Sequence, residues 1–494
     1  MPLTMLVTGA TGYIGGRLVP RLLAEGHSVR AMTRSAGRLR DVPWASDVDV
    51  VQADALDPAS LEPAMRGVDV AYYLVHSIGT GAEFEATDRR AAESFAAAAK
   101  AAGVGRIVYL GGLVPQDQAM SPHLRSRSEV GQILLDSGVP TAVLQSAVII
   151  GSGSASFEMI RYLTERLPAM ITPKWVSNRI QPIAIRDVLP YLVGGATLPA
   201  DVSRRFDIGG PEVMTYAEMM QRYAKVAGLR KRILIPVPIL TPKLSSLWVN
   251  VVTPVPAAIA RPIIQSLVND VVCTEKDIAD YIPDPPGGLC GFDESVRLAL
   301  KRIGEAAVET RWSSATWPGA PSDPLPSDPH WAGGSLYEDK RRHLVRAEPA
   351  DVWRVVEGIG GENGWYSFPL AWAARGWIDR IVGGVGLRRG RRNPEHLYVG
   401  EALDFWRVEE ILPGSLLRLR AEMKVPGAAW LELGVESEAG QTFYTQRALF
   451  HPHGLAGQLY WWSVAPFHGI VFGGMVRNIT IKAEKAAAAR SQAA

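Results

Sequence analysis

Residues 8–16, T-G-A-T-G-Y-I-G-G, constrain the fold more than any other stretch of the chain. They follow an apolar run at residues 3–7 and open a segment whose leucines, Leu18, Leu22 and Leu23, fall at helical spacing. Strand, glycine-rich turn and helix in that order form the context in which a glycine pattern predicts a dinucleotide site. Gly9 permits a tight turn, Gly12 lets the backbone approach a pyrophosphate, and Gly15 lets the helix pack close to the strand. The helix N-terminus then turns N–H groups and a favourable dipole toward the phosphates. The expected binding turn comprises Gly9, Thr11, Gly12, Tyr13, Ile14 and Gly15.

The G-x-x-G-x-x-G spacing departs from the G-x-G-x-x-G of many dehydrogenases and resembles the extended and atypical short-chain dehydrogenase/reductase families. That resemblance implies a doubly wound Rossmann domain with a small substrate subdomain, over roughly the first 300 residues. A strand predicted at residues 27–32 ends in Thr33-Arg34-Ser35. Asp or Glu at this place bonds the ribose 2′-hydroxyl of NAD. Here Arg34 stands instead, with Arg38 and Arg40 behind it. A guanidinium forks onto a phosphate with two hydrogen bonds. The expected cofactor is therefore NADP(H), held by Arg34 and Ser35; the alternative for these arginines is a solvated loop. The next strand, residues 48–53, leads to Asp54 and Ala55. The family places an adenine-bonding acid here, and a helix cap before Pro58 is the competing role for Asp54. The strand at 68–75 carries Leu74 and Val75 and runs into His76-Ser77, where the ribose and nicotinamide would pass. Strands at 106–110, ending in Gly111-Gly112, and at 141–149 complete the series. Strands alternating with helical patterns such as 88–102 predict βαβ units and a parallel sheet.

The catalytic positions depart from the family. Its members carry Y-x-x-x-K on a helix and Ser or Thr at the end of the fifth strand. Here H-L-R-S-R puts His123 at the Tyr position and Arg127 at the Lys position, and Gly111 or Gly112 replaces the Ser. Two readings stay open. His123 acts as the acid in reducing a carbonyl or enone, since imidazole titrates near neutrality, with Arg127 bonding the ribose. Alternatively the domain binds NADP(H) without turning it over, as a sensor, scaffold or assembly factor. Tyr72, Tyr73 and Tyr109 sit in apolar runs and are expected in the core. No metal-ligand spacing occurs, so no metal site is expected.

At 494 residues the chain is too long for one ordinary domain. A net charge of +2 gives no electrostatic case for nucleic acid. Two cysteines fit a reducing, cytoplasmic setting. Residues 1–7 run straight into the first strand, leaving no place for a secretory signal. Uncharged stretches at 244–260 and 459–476 raise a membrane question, but their prolines, glycines and a His favour buried helices or pocket linings. Attachment to a membrane surface through the first, with its basic flank, is the lesser alternative. Oligomeric state is left open.

Residues 150–310 read as the substrate part. Thr215 with Glu218 forms a capping box, and Ser152, Ser154, Phe157, Glu158 and Arg161 are expected near the nicotinamide. Residues 317–331 hold five prolines, within an expected linker at 311–334. Residues 335–486 then read as a separate α+β domain: a helix at 347–356, alternating runs from 403 to 449, and a long aromatic helix at 455–486, before a tail at 487–494. This order resembles the helix-grip fold of START-like and polyketide-cyclase-like proteins. It also resembles an uncharacterised bacterial family that fuses such a domain to an atypical short-chain dehydrogenase. A small apolar molecule is the expected ligand of its many aromatics, which include Trp372 and Trp377; a packed core is the alternative.

Overall fold

The computed structural model describes residues 2–39, 42–76, 84–115, 120–237, 252–285, 287–306, 335–361, 364–367 and 396–493. Arg40, Ser77, Trp372, Trp377, the proline-rich segment 317–331 and residues 244–251 lie outside these, as does the side chain of Arg38. The chain divides into two compact units, Met1–Gly334 and Ser335–Ala494.

The first unit is built on a seven-stranded sheet. Its strands are β1 (Thr4–Thr8), β2 (Ser28–Thr33), β3 (Asp49–Gln52), β4 (Val70–Tyr73), β5 (Arg106–Gly112), β6 (Thr141–Ser146) and β11 (Arg204–Ile208), in the order β11-β6-β5-β4-β1-β2-β3. Every pairing is parallel. Such strands are covered on both faces, so consecutive residues are apolar rather than alternating. In β1, Met5 and Val7 enter one core cluster and Leu6 the other, all fully buried. Helices α1 (Tyr13–Ala24) and α6 (Ile185–Gly195) cover the first face; α2 (Pro58–Met65), α3 (Phe84–Ala101) and α4 (Pro122–Leu135) cover the second. The strand order reverses between β1 and β4, and the crevice outside the strand C-termini at such a switch is where doubly wound sheets bind ligands. The sixth predicted strand is broken: β6 ends at Ser146, and Ile149–Ile150 form β7, paired with β10 (Ile183–Ala184).

A second lobe packs α5 (Ala155–Arg166), α7 (Tyr216–Val226), α8 (Ala257–Ser266) and α9 (Phe292–Ala306) around its own core. The α7 capping box forms as expected, with the Glu218 N–H donating to Thr215 Oγ1 and the Thr215 N–H to Glu218 Oε2. Val255 and Ala260 take the C-terminal part of the first uncharged stretch into this core.

The second unit is a six-stranded antiparallel sheet, β14-β19-β18-β17-β16-β15, with α10 (Pro349–Glu357) and the long α11 (Gly454–Ala493) packed on it. The strands run Tyr337–Val345, Ala402–Leu403, Trp406–Leu412, Leu416–Ala421, Gly427–Glu438 and Gln441–Pro452, β14 to β19. β14 was not anticipated: its charges pair across the sheet, Arg342 with Glu436 and Glu438, Glu338 with Arg447. The stretch 459–476 is not a buried helix. It lies in α11 with Met475 and Val476 inward, while Leu459, Trp462, Phe467 and Ile470 are exposed. Trp365, Phe405 and Trp406 stack as a core cluster. Among the described residues no helix is long and apolar enough to cross a membrane.

Candidate active site

The glycine turn is shaped by main-chain contacts. Gly9 has φ +65°, and a Cβ there would meet Leu74 O at 2.6 Å. A Cβ on Gly15 would lie 2.3 Å from Gly9 O. β1 therefore touches β4 across the switch point, and α1 sits hard against the turn. The Gly12 N–H donates to Gly9 O at 2.8 Å, closing the turn, and Gly12 itself caps α1. Having no side chain, Gly12 cannot satisfy the first-turn N–H groups that any helix leaves open. Buried Thr8 ties the two strand ends, donating from Oγ1 to Tyr72 O (2.9 Å) and accepting from the Leu74 N–H (2.8 Å). A side-chain-free cradle at a helix N-terminus beside the switch point fits a dinucleotide pyrophosphate.

The other expected cofactor residues surround that cradle at strand C-termini. Arg34 is exposed just past β2, and Thr33 Oγ1 accepts from the Ser35 N–H. Asp54 and Ala55 follow β3. The cap of α2 is Asp57, whose carboxylate accepts from the Ala59 N–H, so the capping alternative for Asp54 fails. Asp54 Oδ1 instead accepts from the Leu56 N–H at 3.0 Å. Leu74, Val75 and His76 leave β4. Gly111 faces the sheet side, since a Cβ there would press on Tyr109 at 3.2 Å. The glycine that makes room beside helix α4 is Gly112, where a Cβ would meet Leu124 at 3.1 Å and Arg127 Cδ at 3.6 Å.

Helix α4 starts at the Ser121 cap, whose Oγ accepts from the Leu124 N–H, and places His123 and Arg127 one turn apart. His123 is 8% exposed, not a surface residue. Its Nδ1 lies 3.2 Å from His76 Nε2, with the rings 5.0 Å apart. His76 Nδ1 in turn lies 2.7 Å from Asp88 Oδ2, and Asp88 on α3 is buried and accepts from Ser126 Oγ at 2.9 Å. Arg127 donates from Nη2 to Leu110 O and lies over the Tyr109 ring at 5.9 Å; Tyr109 Oη donates to Arg127 O. Burial lowers the His76 pKa, opposed by the hydrogen bond to Asp88. Burial, then His76 and Arg127, hold His123 well below the usual imidazole range. Tyr72, Tyr73 and Tyr109 are fully in the core, as expected.

Sequence reasoning missed Asp88 and Ser126. The available signal was Asp88 itself, an acid on the helical stripe that carries Ala91, Ala92, Phe95 and Ala99. Of the residues expected near the nicotinamide, Ser152 lies beside α1, but Phe157, Glu158 and Arg161 do not line the crevice. Phe157, Glu158 and Arg161 are fully buried inside the second lobe, where Glu158 accepts from the Gly153 N–H and Arg161 bonds Glu165. Ser154 donates to Ile149 O, and the carbonyl of Ser152 accepts from Arg17. α5 is packed by α7 and α8 over the face that was expected to line the crevice.

An NAD(P)H-binding family matches residues 9–147, and a family of proteins of unknown function (DUF2867) matches residues 331–475. The (4-alkanoyl-5-oxo-2,5-dihydrofuran-3-yl)methyl phosphate reductase of Streptomyces griseus is 32% identical over 232 residues, 45% of this chain and 74% of that enzyme. The ceramide reductase of Caulobacter vibrioides is 26% identical over 308 residues, 59% of this chain and 92% of that enzyme. The solved triphenylmethane reductase of Citrobacter sp. complexed with NADP(H) is 21% identical, with a TM-score of 0.47, covering 60% of this chain and 99% of that one. Through its first unit, the chain belongs to the NAD(P)H-binding reductase family of the Streptomyces enzyme.

Proposed function

We propose that the chain is an NADP(H)-dependent reductase of an apolar carbonyl compound in which His123 gives the proton to the substrate oxygen. The observation that carries this is the buried imidazole of His123, one turn before Arg127 on α4; the reading takes it to stand in for the family's proton-donating Tyr. When bound, the nicotinamide supplies the hydride. Gly9, Gly12 and Gly15 would hold its pyrophosphate, and Arg34 at the end of β2 would hold the 2′-phosphate. His123 would orient the carbonyl and protonate it, and Arg127 would keep the end of β5 in place through Leu110 O. That the two relatives are named as reductases, one of a ceramide, supports reduction of an apolar substrate.

The second unit reads as a helix-grip domain that presents or receives that substrate. In its support stand, among the described residues, one strand, a helix, five antiparallel strands and a closing long helix. Two free cysteines favour a reducing, cytoplasmic setting.

The test is NADPH oxidation by the full chain with a panel of long-chain ketones, enones and quinones, for wild type and His123→Phe. Turnover in wild type that is abolished by the substitution, with NADPH affinity kept, supports the reading. NADPH binding without turnover on any panel member favours the sensor or scaffold reading instead.

A further inference from the structure

We propose that Asp88, His76 and His123 form a proton relay to the substrate oxygen, with His76 as the proton reservoir and Asp88 as its counter-ion. This rests on the reductase reading above. The three side chains come from three elements, α3, the end of β4, and α4. They are joined in line: Asp88 Oδ2 to His76 Nδ1 at 2.7 Å, and His76 Nε2 to His123 Nδ1 at 3.2 Å.

The hydrogen-bond inventory fixes how protons sit on this line. An ionised carboxylate only accepts, so His76 Nδ1 carries hydrogen in every state. Ser126 Oγ donates to the same Asp88 oxygen and holds it in place. His76 Nε2 and His123 Nδ1 then share one hydrogen between them. With no extra proton, His123 holds that hydrogen on Nδ1, and its Nε2 is a bare acceptor. With one extra proton, His76 is an imidazolium against Asp88 and donates from Nε2 to His123 Nδ1. His123 is then neutral and bears its hydrogen on Nε2. The charge rests on the imidazole beside the carboxylate, and the group facing the crevice stays neutral.

Reduction draws on this second state. The carbonyl carbon takes the hydride, and the C=O π pair moves onto oxygen. The oxygen takes the proton of His123 Nε2 as that N–H bond breaks. His123 Nδ1 takes the proton of His76 Nε2 in the same motion. His76 is left neutral on Asp88, and a solvent proton recharges it. One carbonyl, one hydride and one proton give one alcohol, and the cofactor is oxidised by two electrons.

The surroundings set the direction of the pH dependence. Asp88 from α3 and Arg127 from α4 act on both imidazoles, while Tyr73 from β4 and Tyr109 from β5 stand against Asp88. Burial and Arg127 lower both imidazoles below the ordinary 6.5, His123 more strongly, and Asp88 pushes back on His76. The pair therefore titrates as one coupled unit on the acid side of that value. Reduction is fastest where the pair holds its extra proton and falls as pH rises through the shared pKa. His76 and Asp88 are positioning residues in this relay, in which His123 is the group that hands its proton to the substrate.

The experiment has two arms on the full chain. In the first, long-range nitrogen NMR without cofactor follows both imidazoles against pH for wild type, His76→Gln and Asp88→Asn. Coupled titration of the two rings, moved to lower pH by Asp88→Asn, is expected. In the second, kcat is measured against pH with the carbonyl panel. Asp88→Asn keeps a hydrogen-bond acceptor for His76 and removes the charge. It is expected to move the falling limb to lower pH by about one unit, which is about tenfold in rate at neutral pH, with the KM for NADPH unchanged. His76→Gln is expected to flatten the limb and to turn a two-proton solvent-isotope inventory into a one-proton one. Rings that titrate independently near 6.5, or a limb that Asp88→Asn leaves in place, overturn the relay. A wild-type chain that binds NADPH and shows the coupled titration, yet reduces nothing, overturns the reductase reading, and the relay's catalytic role goes with it.

Discussion

Replacing Gly15 by alanine tests the cradle directly. A Cβ at this position would lie 2.3 Å from Gly9 O, 2.8 Å from Gly9 C and 3.0 Å from Ala10 Cα. All three are main-chain atoms of the turn, so no side chain can rotate away. Ordinary contact needs about 3.5 Å, so helix and turn must part by roughly an ångström. Charge-assisted N–H···O bonds work at about 2.7–2.9 Å, and a shift of this size breaks at least one to the phosphates. A lost bond to a charged group is worth about 1.5–3 kcal/mol, or roughly ten- to a hundredfold in Kd. Calorimetry with NADPH at fixed salt reads the loss. Gly26→Ala is the control: its φ is +83° and nothing lies within 4 Å of the added carbon. It carries strain of about 1–2 kcal/mol and lowers the melting temperature, with the Kd unchanged. Wild-type affinity in Gly15→Ala would refute the reasoning, as would an equal loss of affinity in the control.

Arg34→Ala is expected to weaken NADPH by about 1.5–3 kcal/mol and NADH little, read by calorimetry with both; a wild type that binds both equally contradicts the 2′-phosphate role. Tyr109→Phe is expected to cost about 1 kcal/mol through the bond to Arg127 O and to leave turnover within a few-fold; lost turnover with the fold intact would move the donor role to that phenol. Arg418, 3% exposed on its side chain, joins Glu410 and Glu432 across β16 to β18. Arg418→Leu removes the arginine from buried Glu410 and leaves Glu432 with Arg447 at 3.5 Å, and is expected to destabilise the second unit by about 3–5 kcal/mol in denaturant melts.

The parallel sheet was legible because each strand leaves its trace locally, as an apolar run that ends in a turn. The glycine turn was legible because only glycine tolerates a Cβ position 2.3–2.6 Å from a main-chain oxygen. β14 was not, since a strand whose polar residues pair across the sheet shows no apolar alternation; Arg342 finds its acids on β18, 94 and 96 residues away. The exposed face of α11 escaped for the opposite reason. Its residues are apolar on every side, so composition gave no sign of which side would be covered. Phe157, Glu158 and Arg161 were placed by analogy with the family, and the packing of α5 under α7 and α8 overrode that placement. In the candidate site, His123 and Arg127 were legible only through the resemblance of H-L-R-S-R to the family's Y-x-x-x-K, since spacing alone fits a surface pair as well. Their partner Asp88 lies 35 residues before His123, and only the parallel strands bring the two together.

On the proposed reading, with His123 and Arg127 standing for the family's Tyr and Lys, the choice of proton donor is narrow. Arg127 holds its proton throughout, because a guanidinium does not release one in proteins. Tyr73 on β4 and Tyr109 on β5 lie in the core, and burial raises both phenols above 10. Tyr109 also directs its hydroxyl at Arg127 O. A phenol so placed has neither the acidity nor the orientation to protonate a substrate. Burial acts with the opposite sign on an imidazole, which it makes a stronger acid once protonated. The cost is that protonation becomes rarer, and the Asp88–His76 pair offsets that cost by holding the proton beside a carboxylate until it is needed. The same desolvation that disqualifies the tyrosines therefore fits His123 for the task, provided that a second imidazole stands behind it.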